Sequence, residues 1–139
     1  MAYDTQNIFA KILRDEIPAI KVYEDNHTLA FMDLMPQAPG HTLVIPKTEV
    51  ESLFEIDTAT GGAVLATTRK VATAVQTAMQ ADGIMLNQFN GPAAGQTVFH
   101  FHMHIVPRFD GVPLRKHCDS MEDASLLEEH AAKIRAALD

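Results

Sequence analysis

Residues 98–106 of this 139-residue chain read VFHFHMHIV, with histidines at every second position and apolar residues between them. Side chains of an extended strand alternate between its two faces, so this spacing predicts a strand with His100, His102 and His104 on one face. Three titratable rings close together indicate the active site. The apolar residues expected to enter a core from the other face are Phe99, Phe101, Met103 and Ile105.

The spacing leaves two interpretations of the three histidines open. Imidazole is a common zinc ligand, so a metal site is one of them. However, same-face residues on a strand lie about 6.5–7 Å apart, which places His100 and His104 too far apart to share one ion unless the strand bends. The spacing therefore favours catalysis without a metal over a zinc site.

Composition limits the possible classes of function. A chain of 139 residues is long enough for one domain with its own core, and its net charge of −7 argues against non-specific nucleic-acid binding. No apolar run approaches the roughly 20 residues that span a bilayer, and residues 1–7 do not resemble a signal peptide, so no membrane association is expected. The single cysteine, Cys118, cannot form an intrachain disulfide, which favours the reducing cytoplasm.

Periodicity and turn residues predict a mixture of strands and helices without regular β-α-β alternation, which indicates a single α+β domain. The strands are expected at 22–24, 28–34, 41–46, 83–90 and 98–106. The helices are expected at 7–14, 58–81 and 120–138, with Asn7 and Ser120 as their first and last N-caps.

Two features beside the histidines point to a phosphorylated ligand. Residues 91–97 read GPAAGQT, a loop in which glycine backbone, Gln96 and Thr97 offer donors to an anion, although an ordinary turn has similar composition. Asp33 ends one strand and His41 begins the next, so both are expected at one end of the sheet. There Asp33 would accept hydrogen bonds from ribose hydroxyls, or simply cap a turn.

Residues 100–106, HFHMHIV, resemble the His-φ-His-φ-His-φ-φ signature of the histidine triad (HIT) nucleotide-binding hydrolases. Residues 7–12, 31–47 and 95–97 resemble other parts of that family, and the likeness covers about residues 5–110. The resemblance implies one HIT domain, 1–139, with its core at 5–110 and a C-terminal tail and helix at 111–139. It also implies a five-stranded antiparallel sheet with helices packed on it, no cofactor, and a homodimer with a joined sheet and helix 58–81 at the interface.

The resemblance further implies a hydrolase or transferase acting at the α-phosphate of purine nucleotides, either adenosine phosphoramidates or dinucleoside polyphosphates. His102 would be the nucleophile that forms a covalent nucleotidyl-histidine, His104 and His41 would contact the phosphate, and His100 would support them. A non-catalytic nucleotide-binding protein is the alternative. The residues implied to bind substrate are Ile8, Phe9, Ile12, Phe31, Asp33, Leu34, Leu43, Asn90, Gly95, Gln96 and Thr97.

Three departures from the family pattern carry further expectations. Many relatives have a structural zinc site, but here Ala10 and the segment 47–49, KTE, replace its ligands, so no metal is expected. Phe89 stands where several relatives have an asparagine that contacts phosphate, leaving Asn87 or Asn90 as substitutes. The C-terminal part lacks the Trp-Pro-Pro-Gly ending of the purine phosphoramidase branch, so the leaving group is left open.

Overall fold

Five strands form one antiparallel sheet in the computed structural model, which describes residues 2–116 and 120–138. This confirms the α+β class and the expected sheet. The strands are β1 Lys21–Glu24, β2 Thr28–Met32, β3 Thr42–Pro46, β4 Gly83–Asn87 and β5 Met103–Arg108, in the spatial order β1-β2-β3-β5-β4. The helices are α1 Ile8–Leu13, α2 Thr58–Met79 and α3 Ala124–Ala137.

The sheet is covered on both faces, which explains why β2 and β3 are buried along their whole length. On one face, Ala30, Val44 and Ile105 join a core cluster with residues of α2 and α3. On the other face, Phe31 and Leu43 pack with Phe9 of α1 in a smaller cluster. The short helix α1 leaves part of this second face uncovered, and the site described below lies there.

The histidine segment is not the continuous strand that its alternation predicts. Only Met103–Arg108 pairs with its neighbours, while 98–102 is irregular. Phe101 N donates to Val50 O at 2.8 Å instead of to a strand, which interrupts the ladder. Phe99 is consequently half-buried on the surface and does not enter the core, in contrast to Phe101 and Ile105.

Pro107 does not end the strand as expected. Arg108 O accepts from Asp82 N at 2.9 Å, so Arg108 bonds on the β4 side. Pro107 therefore faces the opposite side, where the pairing with β3 has already ended at Ile105, and its missing N–H costs no ladder hydrogen bond.

One of the two predicted N-caps is confirmed and the other is wrong. Asn7 caps α1, with its side chain accepting from Ala10 N, as predicted. The last helix begins later than expected, because Asp123 and not Ser120 is its cap. His117 and Cys118 lie outside the described residues, and none of the helices described is long and apolar enough to cross a membrane.

Candidate active site

His102 lies at the wall of a cleft on the second face of the sheet. Its Nδ1 is 2.7 Å from the backbone oxygen of His100, and since a carbonyl only accepts, Nδ1 must carry the proton. The neutral ring therefore has its lone pair on Nε2. The ring is only 5% exposed and contacts Phe9 edge-on with centroids 4.9 Å apart, so its orientation is restrained from two sides.

His100 lies in the irregular segment before β5, and its ring, like that of His102, contacts Phe9 of α1. It is fully buried, and its Nε2 lies 2.8 Å from Pro46 O, so Nε2 carries the proton and Nδ1 accepts from the Tyr3 hydroxyl. Burial lowers the pKa of His100 to about 4, which keeps the ring neutral near pH 7. His100 is thus held by hydrogen bonds on both ring nitrogens and does not line the cleft.

His41 and His104 are hydrogen-bonded to each other through their rings. Gln37 N donates to His41 Nδ1 at 3.0 Å, so the proton of His41 is on Nε2. That Nε2 lies 2.9 Å from His104 Nδ1 and 3.4 Å from Asp33 Oδ2. His104 then carries its own proton on Nε2, and the Asp33–His41 contact joins a carboxylate to a neutral ring and is not an ion pair.

The cleft brings together most of the residues predicted to bind substrate. It holds about 720 Å³ of space including its open mouth, which suits a small organic ligand. Ile8 is 53% exposed and Leu34 42% exposed, so the rim presents apolar side chains to solvent. The predicted residues that line the cleft are Ile8, Phe9, Ile12, Phe31, Asp33, Leu34, Leu43, Thr97, His102 and His104.

Other predicted residues lie beside the cleft, where they hold its walls. Gln96 uses its carboxamide to accept from Gly91 N at 2.7 Å and to donate to Glu51 O and Val98 O, which ties the loop together. Asn90 Oδ1 accepts from Leu53 N at 2.7 Å. Gly95 has a φ of +108°, a conformation that favours glycine. Phosphate contacts by Gln96, Asn90 and Gly95 remain predictions.

Asn87 and Phe89, which the sequence marks only as a departure from the family pattern, both lie next to His104. Asn87 is directly opposite His104 in the β4–β5 register, so their side chains share one face of the sheet. Only the strand pairing could reveal that relation. Phe89 packs over His104 with centroids 5.3 Å apart. Further cleft residues without a sequence signal are Pro18, Ala19, Met35 and Val98.

Asp33, His41 and His104 are the described residues whose arrangement comes closest to a metal site, with one possible ligand atom from each lying within 4.8 Å of the others. The two histidine nitrogens are 2.9 Å apart, however, and the Gln37 N–H places a proton on the one that would bind. Two zinc ligands at bond lengths of about 2.0–2.1 Å would sit farther apart, at ~3.3 Å in tetrahedral geometry. The group forms a hydrogen-bonded chain.

The structural zinc of many relatives also does not fit around His100. Both ring nitrogens of His100 already bond to protein atoms, of Tyr3 and Pro46. Ala10 has no ligand atom, and the Asn7 side chain caps α1 and donates to Asp4 O at 2.7 Å. In the part of the chain that the structure describes, hydrogen bonds orient the His100 ring, a role that a zinc ion would have in a relative with the structural zinc site.

Comparison with known proteins places this geometry in context. A family model described as HIT domain matches residues 14–111. Protein hit of Bacillus subtilis is 40% identical over 124 residues, covering 86% of each chain. Adenylylsulfatase HINT3 of Arabidopsis thaliana is 35% identical over 127 residues, which are 91% of this chain and 61% of that protein. A crystal structure of a Hit-like protein from Bartonella henselae, with an unknown ligand, is 53% identical with a TM-score of 0.92, covering 98% of this chain and 99% of that one.

Proposed function

This chain belongs to the HIT family, and we propose that it is a nucleotide hydrolase or transferase acting at the α-phosphate of a purine nucleotide through a covalent nucleotidyl-His102. The observation that carries the proposal is the tautomer of His102. Its Nδ1–H is held by the His100 carbonyl, so the nucleophilic lone pair is on Nε2 in a ring that lines the cleft.

The reaction proceeds in two displacements at phosphorus. In the first, His102 Nε2 attacks the α-phosphorus, a P–N bond forms, and the bond to the leaving group breaks; the leaving group departs with the bonding pair and takes up a proton. In the second, water attacks the same phosphorus, its proton is lost, and the P–N bond breaks to release the nucleoside monophosphate. The imidazole is regenerated with its original proton on Nδ1.

His104, His41 and the loop are assigned to the phosphate. His104 carries a proton on Nε2 and lines the cleft beside His102, with ring centroids 4.9 Å apart, which suits donation to a non-bridging oxygen. His41 fixes that tautomer, because its Nε2–H donates to His104 Nδ1. Thr97 lines the same cleft, and Gly95 and Gln96 shape the loop that ends at it.

Asn87 is the asparagine we assign to the phosphate in place of Phe89. Asn87 faces the same side of the sheet as His104. Asn90, the other candidate, is already engaged with Leu53 N and with Gln88.

The remaining cleft residues are assigned to the nucleoside. Its apolar walls suit a planar base, which gains affinity by leaving water. Asp33 lies between those walls and His41, with a side chain 14% exposed and an oxygen 3.4 Å from His41 Nε2. It is placed to accept hydrogen bonds from the ribose. The residues assigned to the base are Ile8, Phe9, Ile12, Phe31, Leu34 and Leu43.

Adenosine phosphoramidates, dinucleoside polyphosphates and adenylyl sulfate are the substrates to test, since each joins an adenylyl group to a different leaving group. We expect every substrate that is turned over to contain an adenylyl group. The relative rates on the three substrate classes then identify the preferred leaving group. We propose that His102→Asn abolishes turnover of every substrate while retaining binding of adenosine monophosphate. The matched control is His27→Asn, because His27 is exposed in the turn between β1 and β2 and does not line the cleft. Activity of His102→Asn near that of His27→Asn would refute the mechanism.

A homodimer is proposed as the working assembly. β4 is an edge strand of the sheet. Its Leu86, 46% exposed, and Leu65 of α2, 61% exposed, line one apolar depression. An unpaired edge beside exposed apolar side chains is suited to pairing with a second copy.

A further inference from the structure

The N-terminal residues before α1 reach the catalytic histidines. Tyr3 is half-buried, its hydroxyl donates to His100 Nδ1, and the two rings meet edge to face with centroids 5.6 Å apart. The segment is anchored by Asn7 Nδ2, which donates to Asp4 O at 2.7 Å, and by Arg14, which donates to Thr5 O at 2.8 Å. Tyr3 therefore occupies a defined position.

We infer that Tyr3 is a positioning residue for the nucleophile: its hydroxyl orients His100, and the backbone oxygen of His100 fixes the Nδ1–H tautomer of His102. The chain of contacts is direct. Tyr3 holds one nitrogen of the buried His100 ring and Pro46 O holds the other at 2.8 Å. The ring cannot rotate without breaking both bonds, and the carbonyl two positions before His102 is held with it.

The protonation states of Tyr3 and His100 make the tyrosine hydroxyl the donor and His100 Nδ1 the acceptor of their hydrogen bond. Burial raises the pKa of Tyr3, so its hydroxyl remains a donor at neutral pH. Burial lowers the pKa of His100 to about 4, so its Nδ1 remains an acceptor. Since a zinc ion does not fit beside His100 here, the tyrosine supplies the restraint on that ring.

The effect of Tyr3 on the reaction rate rests on the proposed nucleophilic role of His102. Its effect on the orientation of His100 and on the tautomer of His102 does not. In metal sites, loss of a group that orients a ligating histidine typically costs about 10–100-fold in affinity or activity, and we expect the lower end of that range for Tyr3. Tyr3 does not line the cleft, so substrate affinity is expected to change little. A fall in kcat at nearly constant KM is the pattern of a lost positioning contact.

Tyr3→Phe tests the inference, because it removes one hydroxyl and keeps the ring. The matched control is Tyr23→Phe, since Tyr23 is the second of the two tyrosines in the chain and donates to Asp25 at 2.9 Å, on β1. We expect Tyr3→Phe to lower kcat about 10-fold with KM within about twofold, and Tyr23→Phe to leave both unchanged. Equal kcat values for the two variants would overturn the inference.

Nitrogen-15 NMR of the histidine rings gives a readout that needs no turnover, and its first part uses only the unmodified protein. His100 is expected to be protonated on Nε2 and His102 on Nδ1; a proton on His100 Nδ1 would overturn the inference. In Tyr3→Phe the His102 Nδ1 proton is expected to exchange faster with water. If the wild-type tautomers are as expected but the enzyme forms no covalent nucleotide adduct, the proposed function fails while the positioning role of Tyr3 stands.

Discussion

His100 and His102 are two positions apart, yet their rings carry the proton on different nitrogens. The difference arises from two backbone carbonyls, of Pro46 for His100 and of His100 for His102. A carbonyl cannot donate, so each contact selects one tautomer. At the scale of single residues, these two histidines are therefore distinguished by main-chain geometry that their sequence spacing does not contain.

Acid should destabilise the protein through His100. Burial lowers its pKa to about 4, against about 6.5 in an unfolded chain. The unfolded state then binds more protons between these values, so the stabilising effect is present above pH ~6.5 and is lost as the pH falls toward 4. We expect about 2 kcal/mol less stability at pH 5 than at pH 7 from this group. Urea unfolding at both pH values measures it.

His100→Gln is the comparison for that prediction, because glutamine does not titrate. The loss of stability between pH 7 and pH 5 should be smaller in the variant by about 2 kcal/mol. His130, whose pKa is also lowered by burial, is present in both proteins and cancels. An equal loss in both proteins would show that His100 is not the acid-sensitive group.

Asp33→Asn should weaken discrimination between ribonucleotides and deoxyribonucleotides. The carboxylate accepts two hydrogen bonds from a ribose better than an amide, which has one acceptor oxygen. We expect the affinity for adenosine monophosphate to fall about 10-fold, with a smaller change for 2′-deoxyadenosine monophosphate, which has only one of the two ribose hydroxyls. Calorimetric titration of both ligands checks this, and an unchanged preference would remove Asp33 from the ribose.

At the scale of elements, the connection between β2 and β3 depends on a glycine. Gly40 has a φ of +93°, and a Cβ there would lie 2.6 Å from Met79 Cγ at the end of α2. We expect Gly40→Ala to cost about 1–3 kcal/mol and to lower activity, because the next residue is His41. Thermal unfolding and steady-state rates measure both effects.

Gly61→Ala is the matched change within a helix. No atom lies within 4 Å of a Cβ built at Gly61, and its φ is not positive, so alanine should stabilise α2 by up to about 1 kcal/mol. If Gly40→Ala were as stable as Gly61→Ala, the close approach of the β2–β3 connection to α2 would be contradicted.

Elements were predictable where local pattern and packing agree. The short apolar runs at 28–32 and 42–46 and the apolar stripe of Val64, Val71 and Val75 correspond to β2, β3 and α2. The histidine segment misled because its alternation continues through 98–102, where Phe101 N bonds to a loop and not to a strand. Alternation reports which side chains are apolar; it does not report where the backbone hydrogen bonds go.

At the scale of the whole molecule, the sheet separates a face covered by two helices from a face that carries the cleft. α2 and α3 cover the first, while the short α1 covers part of the second. The participation of His102, His104, Asp33 and Thr97 in one cleft was predictable from family resemblance. The contact of Tyr3 with His100 and the position of Asn87 opposite His104 were not predictable, since both relations depend on contacts between distant parts of the chain.

Leu65→Glu should disrupt the proposed homodimer. Leu65 is 61% exposed beside Leu86 near the free edge of β4, and a carboxylate there would be buried in a joined interface. Phe54→Glu is the control, because Phe54 is 84% exposed elsewhere on the surface. Light scattering should show a dimer for the wild type and Phe54→Glu and a monomer for Leu65→Glu. A wild-type monomer at micromolar concentration would contradict the assembly.

The central claim is that His102 Nε2 forms a covalent bond to the α-phosphorus, and rapid-quench mass spectrometry of the protein mixed with an adenylyl substrate tests it most directly. The account predicts a transient gain of one adenylyl group on the peptide that contains His102, absent from His102→Asn and present in His27→Asn. Turnover by the wild type with no adduct at any time point, or an adduct that persists in His102→Asn, would contradict it.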